Sequence, residues 1–143
     1  MSEEKKESMT KKRLEIGVAC IFRDKKVLIQ TRPKGKSFAG KWEFPGGKIE
    51  EGERARDCAA REIEEELGAK IKVGNMFFKN VHHFDTVVLV LLFHKCKLIE
   101  NEEPSPQENQ EIQWISVEQF KDFKFLPTNK KILNKLKDLT ELN

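Results

Sequence analysis

Three glutamates in the middle of the chain have a spacing that suits metal-assisted chemistry. Residues 54–67 predict an amphipathic helix, on which Glu62, Glu65 and Glu66 share one face and apolar residues occupy another. Carboxylates this close repel one another unless a cation lies between them. Hard oxygen ligands on a rigid helix suit Mg²⁺ or Mn²⁺, which would polarise a phosphoryl oxygen of a substrate. The alternative interpretation is a solvated helix face.

The segment before this helix favours the functional interpretation. Gly46 and Gly47 let the backbone approach a ligand closely and leave a carbonyl available to a metal. Glu53 and Arg61 stand at fixed offsets from the glutamates, and Arg61 directly precedes Glu62. A solvated helix face requires none of these residues, so their presence indicates a built site.

The complete pattern from Gly47 to Ala69 resembles the motif of a known family. It runs glycine, five residues, Glu53, seven residues, Arg61-Glu62-Ile63, one residue, Glu65-Glu66, one residue, Gly68 and an aliphatic residue. This resembles the Nudix box at every defined polar and glycine position, and Ala69 is smaller than the aliphatic residue that the family prefers. From Arg13 to Leu139 the chain resembles Nudix hydrolases, in particular the MutT-type 8-oxo-dGTP diphosphatases, whose entry into the box is similar to residues 43–48.

The resemblance implies metal ligands and a catalytic base. In the family, water attacks one phosphorus of a diphosphate bridge while the box glutamates bind divalent ions. Carried over by position, the ligands would be the Gly46 carbonyl, Glu62, Glu65, Glu66 and Glu108. Glu62 is expected to orient or deprotonate the attacking water, and Glu108 is the second candidate for that role. The expected cofactor is Mg²⁺, with Mn²⁺ as a substitute.

Three other residues of this region are expected to support the chemistry. Arg61 would organise the carboxylates through bidentate hydrogen bonds rather than contact the substrate. Glu53 would brace the loop onto the helix. Lys48 would offset triphosphate charge, or would be an exposed loop lysine.

A nucleobase site is implied near the end of the chain. Asn129 follows Pro127, where MutT-like enzymes place an asparagine that reads the purine, although an asparagine here could instead cap the final helix. An amide offers both a donor and an acceptor. Oxidation at C8 turns N7 of guanine from an acceptor into an N–H donor, so an acceptor placed there would select 8-oxoguanine.

Other expected nucleotide contacts are aromatic or basic. Phe44 and Phe84 are predicted to line the base pocket, or to be core residues. MutT-like enzymes often carry two consecutive arginines where this chain has Arg32-Pro33. Arg32 is therefore expected to contact the nucleotide without the second arginine, which bears on the degree of 8-oxoguanine selectivity.

The resemblance predicts hydrolysis of a nucleoside triphosphate to a monophosphate and pyrophosphate. The predicted substrate is 8-oxo-dGTP, in a nucleotide-pool sanitation role that avoids mutation during DNA replication. One alternative is a broader pyrophosphatase acting on (d)NTPs or modified CTP, since relatives that prefer pyrimidines tend to carry an acidic residue in place of Asn129. Another is a catalytically silent nucleotide-binding module, which would be expected to lose box glutamates.

Composition limits the other classes of protein. The formal net charge of +3 over 143 residues is concentrated in the first thirteen, so no basic stripe for a nucleic-acid polymer is expected. No apolar run approaches the ~20 residues that span a membrane, and no apolar leader is present. The three scattered cysteines, Cys20, Cys58 and Cys96, are predicted to be small buried residues in a reducing compartment. We therefore expect a cytoplasmic monomer.

The segments around the box predict one α/β domain, an α/β/α sandwich with a mixed sheet between helices. Residues 1–12 are predicted to be a disordered charged tail and residues 13–143 the domain. The predicted elements are strands at 14–22 and 27–31, a short extended piece at 41–44, a break at 45–47, a loop at 48–53, the helix at 54–67, strands at 71–78, 81–98 and 112–115, a helical turn from Ser116 and a final helix from Pro127.

Overall fold

A computed structural model of the chain describes residues 11–141. Within these residues, seven strands run Lys12–Arg23 (β1), Lys26–Thr31 (β2), Trp42–Glu43 (β3), Gly46–Lys48 (β4), Ile71–His83 (β5), Val87–Leu98 (β6) and Ile112–Ile115 (β7). In the same described range, two α-helices run Ala55–Leu67 (α1) and Ile132–Glu141 (α2), and short 3-10 segments occupy Val117–Asp122 and Pro127–Asn129. The predicted tail lies outside the described residues except for its last two positions, and Lys12 already belongs to β1.

Strand β1 is the centre of a mixed sheet. It pairs in parallel with β6, from Lys12 opposite Val87 to Ile21 opposite Cys96, and β6 pairs antiparallel with β5. The opposite edge of β1 pairs first with β4 and then, at Phe22 and Arg23, with β2. Strand β2 in turn pairs with β3 and β7. The sheet thus brings β4, which precedes helix α1, beside the middle of β1.

The two faces of the sheet carry separate apolar clusters, because side chains alternate along each strand. From β1, Val18, Cys20 and Phe22 enter one cluster, which also contains Ile132 and Leu136 of α2. Intervening residues of the same strand, Ala19 and Ile21, enter the other cluster with Ala59, Ile63 and Leu67 of α1. One helix therefore covers each face, and the predicted α/β/α architecture is confirmed.

Helix α1 has clear local determinants at both its core face and its end. Its buried residues recur at helical spacing and are Cys58, Ala59, Ile63 and Leu67. The helix ends at Gly68, which adopts a left-handed conformation (φ 61°) and donates its N–H to the Glu64 carbonyl at 3.0 Å. The predicted helix and its terminating glycine are confirmed.

The β1–β2 hairpin is closed by a two-residue turn. Asp24 and Lys25 both have positive φ, 50° and 62°, as in the type I′ turn whose twist matches that of paired strands. Arg23 consequently pairs with Lys26, and the predicted hairpin is confirmed.

Three predicted boundaries were wrong. The segment predicted as a break and a loop contains strand β4, because Gly46 to Lys48 pair with Ile16 to Val18 of β1. The break between β5 and β6 lies at residues 84–86 rather than 79–80, since β5 continues to His83. The final α-helix starts at Ile132, and Pro127 instead begins a single 3-10 turn.

Two further observations concern the chain as a whole. All three cysteines are buried and none forms a disulfide, so their predicted burial is confirmed. Among residues 11–141, no helix combines the length and apolar character needed to cross a membrane.

Candidate active site

Strand β4 and helix α1 bring the glycines and glutamates of the motif into contact. A Cβ atom added at Gly47 would overlap the carboxylate of Glu62, so a larger residue at this position would displace that side chain. The Gly47 carbonyl accepts a hydrogen bond from the Cys58 thiol at 3.2 Å. The turn between strand and helix is thereby fixed directly beneath Glu62.

Arg61 is the hub of a charged network on α1. Its guanidinium donates to both Glu53 carboxylate oxygens, Nε at 2.8 Å and Nη2 at 3.0 Å, and Nη1 donates to Glu62 at 3.0 Å. Hydrogen bonds from Arg61 and from the Glu50 N–H lower the pKa of Glu53 to about 2. Nη2 also donates to the Lys48 carbonyl at 3.1 Å, so one side chain connects loop, strand and helix.

The three helix carboxylates differ in burial, although Arg61 Nη1 donates to both Glu62 and Glu65. Glu62 and Glu66 are one helical turn apart and both face the sheet side, where they are partly buried. Glu65 is exposed and accepts hydrogen bonds from Arg61 Nη1 at 3.3 Å. The helix therefore presents a carboxylate pair inward and a third carboxylate at its outer rim.

Glu43 on β3 completes the inward cluster, and sequence reasoning assigned it no role. Burial, followed by the neighbouring Glu43 and Glu62 carboxylates, raises the pKa of Glu66 to about 8. Burial likewise raises the pKa of Glu43 and of Glu62, against the lowering effect of Arg32 on the first and Arg61 on the second. Crowded, partly desolvated carboxylates of this kind are costly without a cation.

Glu108 lies on the loop before β7 and is exposed. Its charge contributes to raising the pKa of Glu43, Glu62 and Glu66, so it lies near all three. The structure thus brings this distant residue to the same end of the molecule as the helix carboxylates.

The donors available here fit a hard divalent cation. The Glu62 and Glu66 carboxylates lie close enough for the charge of Glu62 to raise the pKa of Glu66. The Gly46 carbonyl points away from β1, because successive carbonyls of a strand alternate in direction and the preceding Pro45 carbonyl accepts the Ala19 N–H at 2.9 Å. Among the described side chains, no three His, Cys, Asp or Glu residues are already gathered into a metal cluster.

A cavity of about 570 Å³ opens beside these residues. One end is polar and is lined by Glu43, Gly46, Gly47, Lys48, Glu62 and Glu66. The other end is apolar and is lined by residues that include Phe44, Phe84, Leu89, Leu91 and Asn129. A single cavity thus joins a carboxylate end to an aromatic end.

Asn129 lies at the apolar end, in the 3-10 turn before α2, and is only 3% exposed. Its Oδ1 accepts the Phe44 backbone N–H at 3.0 Å, and its Nδ2 donates to Thr128 Oγ1 at 3.1 Å. The side chain therefore lines the cavity and also connects the 3-10 turn to the segment between β3 and β4. One lone pair and one N–H of the amide remain for a ligand.

Four other side chains define the rim and wall of the cavity. Phe44 is buried and stacks on Phe125, with ring centroids 5.5 Å apart, whereas Phe84 is 50% exposed and stacks on His82. Arg32 donates from Nε to the Ser37 carbonyl at 3.3 Å and lies 3.6 Å from Glu43. Lys48 is exposed at the polar end.

Phe38 was also missing from the sequence prediction. It is 61% exposed, has a left-handed backbone (φ 60°), and lines the cavity from the loop between β2 and β3. A large apolar residue in a glycine-rich loop was the available signal. Glu43 offered a comparable signal, as a carboxylate between two aromatic residues.

Comparison with known proteins identifies the family. The NUDIX domain matches residues 11–136. An 8-oxo-dGTP diphosphatase of Escherichia coli (strain K12) is 33% identical over 129 residues, which cover 90% of this chain and 99% of that protein. A CTP pyrophosphohydrolase of the same organism is 46% identical over 63 residues, 44% of this chain and 47% of that protein.

Solved structures agree with this result. The solution structure of the E. coli ORF135 protein superposes with a TM-score of 0.79 at 28% identity, covering 94% of this chain and 96% of that one. MutT, from a study of the fish pathogen Aliivibrio salmonicida and of Vibrio cholerae, gives a TM-score of 0.72 at 28% identity, with coverages of 90% and 99%. The resemblance predicted from the box is confirmed, and the chain belongs to the Nudix family of hydrolases, which act on pyrophosphate bonds.

Proposed function

We propose that this enzyme is a Mg²⁺-dependent nucleoside triphosphate pyrophosphohydrolase that prefers 8-oxo-dGTP and releases 8-oxo-dGMP and pyrophosphate. The observation that carries the proposal is the single cavity that runs from the Glu62 and Glu66 carboxylates to the buried amide of Asn129. A nucleotide requires this sequence of environments, with charge compensation for its phosphates followed by an apolar wall and polar contacts for its base. The 8-oxo-dGTP diphosphatase relative supports the substrate.

Nudix hydrolases generally need a divalent metal ion. We assign Mg²⁺ because the available donors are all hard oxygens. Glu62, Glu66 and the Gly46 carbonyl would hold it, with Glu65 and Glu108 completing the ligand set. When bound, the ion would neutralise phosphate charge and lower the pKa of a coordinated water.

The protein's own residues supply orientation and a base. Glu62 takes the proton of the attacking water, and Glu108 is the second candidate for this role. Arg61, which bonds Glu53 and Glu62 together, holds the Glu62 carboxylate against Gly47. Lys48, which lines the cavity, would offset charge on the triphosphate.

We assign recognition of the base to the apolar end of the cavity. The remaining lone pair of Asn129 Oδ1 accepts the N7–H that 8-oxoguanine has and guanine lacks. Guanine would place two acceptors against each other in a buried site, which is strongly disfavoured. Phe44 forms the wall of this pocket and Phe84 its rim, and Arg32 contributes a positive charge beside Glu43.

A turnover panel with Mg²⁺ tests the substrate. It compares 8-oxo-dGTP, dGTP, CTP, 5-methyl-CTP, ADP-ribose and a diadenosine polyphosphate, with products identified by chromatography. We expect kcat/KM for 8-oxo-dGTP to exceed that for dGTP by about a hundredfold or more, because the unpaired acceptors cost a few kcal/mol. Equal values for all triphosphates would contradict the assigned role of Asn129.

A second candidate activity is hydrolysis of CTP or a modified CTP. The relative named a CTP pyrophosphohydrolase supports it through 46% identity over 63 residues. A preference for CTP or 5-methyl-CTP in the same panel would establish this activity in place of the first. Tight nucleotide binding without turnover would instead indicate a silent binding module.

We also propose that the enzyme acts as a cytoplasmic monomer on free nucleotides. Light scattering coupled to size exclusion tests the first point, with 16.7 kDa expected for one chain. Fractionation of cells that express the full chain tests the second.

A further inference from the structure

A buried amide lies behind the carboxylates of the site. Gln30 is the last buried residue of β2 and is only 2% exposed. Its Nε2 donates one hydrogen bond to Glu43 at 3.1 Å and another to Glu66 at 3.2 Å. Both N–H groups are thus directed at two crowded carboxylates from the side away from the cavity, since Gln30 does not line it.

A second buried amide holds the first. Gln110, 5% exposed, donates from Nε2 to Gln30 Oε1 at 3.3 Å and to the Glu66 backbone carbonyl at 2.9 Å. Its own Oε1 accepts the Glu108 N–H at 2.8 Å. These partners determine which terminal atom of each glutamine amide is oxygen and which is nitrogen. The hydrogen bonds are therefore donated in one direction, from Gln110 to Gln30 and from Gln30 to the two carboxylates.

The same loop is attached to the end of helix α1. The Gln107 N–H donates to the Glu66 carbonyl at 2.9 Å, and the Ser105 N–H donates to the Leu67 carbonyl at 2.8 Å. These bonds satisfy carbonyls that a helix end leaves without partners. The Gln110 side chain adds bonds to Gln30 of β2 and to the helix end, alongside these backbone attachments of the loop that carries Glu108.

We propose that Gln30 and Gln110 form a positioning pair that holds Glu43, Glu66 and the Glu108 loop in the geometry needed for metal binding. The inference rests on the proposed metal-dependent function and assigns to it two residues outside the Nudix box. Glu66 Oε2 accepts the bond from Gln30, and the same side chain lines the cavity. Outer partners of this kind orient metal ligands, and their loss typically reduces metal affinity or activity by about 10- to 100-fold.

Methionine substitutions test the pair, because methionine has nearly the length and volume of glutamine without its donors and acceptor. Gln30→Met removes both bonds to the carboxylates, and Gln110→Met removes the support of Gln30 and of the loop. The matched control is Gln113→Met on neighbouring β7, where the side chain is exposed. Circular dichroism and thermal midpoints establish that each variant is folded at the temperature of assay.

Metal binding is measured without substrate, from the electron paramagnetic resonance signal of free Mn²⁺. We expect Gln30→Met to raise the Mn²⁺ dissociation constant by about tenfold or more and Gln110→Met to raise it less. In turnover assays at saturating substrate, kcat should fall and the Mg²⁺ concentration for half activation should rise, with KM for the nucleotide nearly unchanged. Gln113→Met should match the wild type in each measurement.

Wild-type Mn²⁺ affinity and kcat in folded Gln30→Met would overturn the proposal. If that variant does not fold, the same result in Gln110→Met would overturn it. Failure of the substrate assignment is distinguishable, because a wild-type enzyme that binds Mn²⁺ but does not hydrolyse 8-oxo-dGTP leaves the metal-binding comparison intact. A wild-type protein that binds no Mn²⁺ would contradict both proposals.

Discussion

The two ends of the cavity are held in place by different means. At the polar end, charged side chains are fixed by a dense set of bonds centred on Arg61 and by the amides behind Glu66. At the apolar end, Phe38 and Phe84 are at least half exposed and lie in loop segments, and Asn129 provides the firm attachment to Phe44. The rigid end suits chemistry, and the looser end suits selection of a base.

Because the two ends differ in this way, substitutions at the polar end should affect the rate and substitutions at the apolar end should affect recognition. Groups that orient a reacting water lose much of their effect when they move by about 1 Å. Exposed aromatic rings at a rim contribute binding without being tightly fixed. Variants at the polar end should therefore change kcat, whereas variants at the apolar end should change KM or the choice of base.

The largest effect is expected for Glu62→Gln. Loss of the proposed base and of one proposed metal ligand should lower kcat by about 10²- to 10⁴-fold, because general base catalysis contributes on this order. Single-turnover kinetics with 8-oxo-dGTP measures the change. Glu64→Gln, an exposed neighbour on the same helix, serves as the control and should leave kcat unchanged.

Arg61→Lys should have the next largest effect, with kcat lower by roughly 10²-fold. Lysine keeps the charge but cannot make the bidentate contact with Glu53 while also bonding Glu62. The matched control is Arg54→Lys, since Arg54 makes an exposed pair with Asp57. Equal activities for the two variants would show that positive charge alone suffices at position 61.

Asn129→Ala should reduce the preference for 8-oxo-dGTP over dGTP by about 10- to 100-fold, the effect of one buried hydrogen bond. It should also lower the free energy of unfolding by about 1–3 kcal/mol, because the buried Phe44 N–H loses its acceptor. Asn129→Asp retains an oxygen that can accept the Phe44 N–H, but it replaces the amide NH2 donor with a second oxygen. If both variants lose stability and keep the preference, the residue is structural only.

Phe84→Ala should raise KM for the nucleotide by about tenfold, as expected for one lost base–aromatic contact. Its 50% exposure predicts little change in the thermal midpoint or in kcat. Ile99→Ala, at a similarly exposed apolar position outside the cavity lining, is the control. A fall in kcat with KM constant would contradict the division between the two ends.

The smallest effect is a pH dependence of stability that arises away from both ends. His94 is buried on β6 and bonds to the Val18 carbonyl at 3.3 Å, and burial lowers its pKa below the ordinary 6.5. Below about pH 6.5 the unfolded chain takes up a proton that the folded chain does not. The free energy of unfolding should therefore fall as the pH decreases through this range.

Denaturant titrations of His94→Gln between pH 5 and 8 measure this contribution. The stability advantage of the wild type over the variant should shrink as the pH falls, since the variant has no group to titrate there. His83→Gln, at an exposed position on β5, provides the comparison. If the difference in unfolding free energy between the wild type and His94→Gln stays constant across this pH range, His94 is not the cause of the pH dependence.

Much of the fold and of the polar end could be predicted because the determinants are local in sequence. The helix carries its own apolar spacing and its terminating Gly68, and the box fixes Glu53, Arg61 and Glu62 by position. Strand β4 could not be predicted this way, since two glycines have no strand preference and only their pairing with β1 makes them a strand.

The unpredicted site residues depend on contacts between distant segments. Gln30 follows the apolar run of β2 and is the last buried residue of that strand, yet only the packing of β2 against α1 reveals that it meets Glu66. Glu65 appears equivalent to Glu62 and Glu66 in sequence, but the 100° turn per residue and the neighbouring Arg61 turn it to the rim. The surroundings of Gln30 and Glu65 depend on contacts in the folded structure, and residue spacing along one helix does not reveal those contacts.

The parallel pairing of β1 with β6 affects how fast the enzyme folds. It joins residues about 75 positions apart, and the cavity is lined by residues from Ile16 to Asn129. Closing so long a loop carries an entropy cost before any contact compensates it, so such pairing is slow to form. Catalytic activity should thus be acquired late, and turnover regained during refolding should lag behind the helical circular dichroism signal.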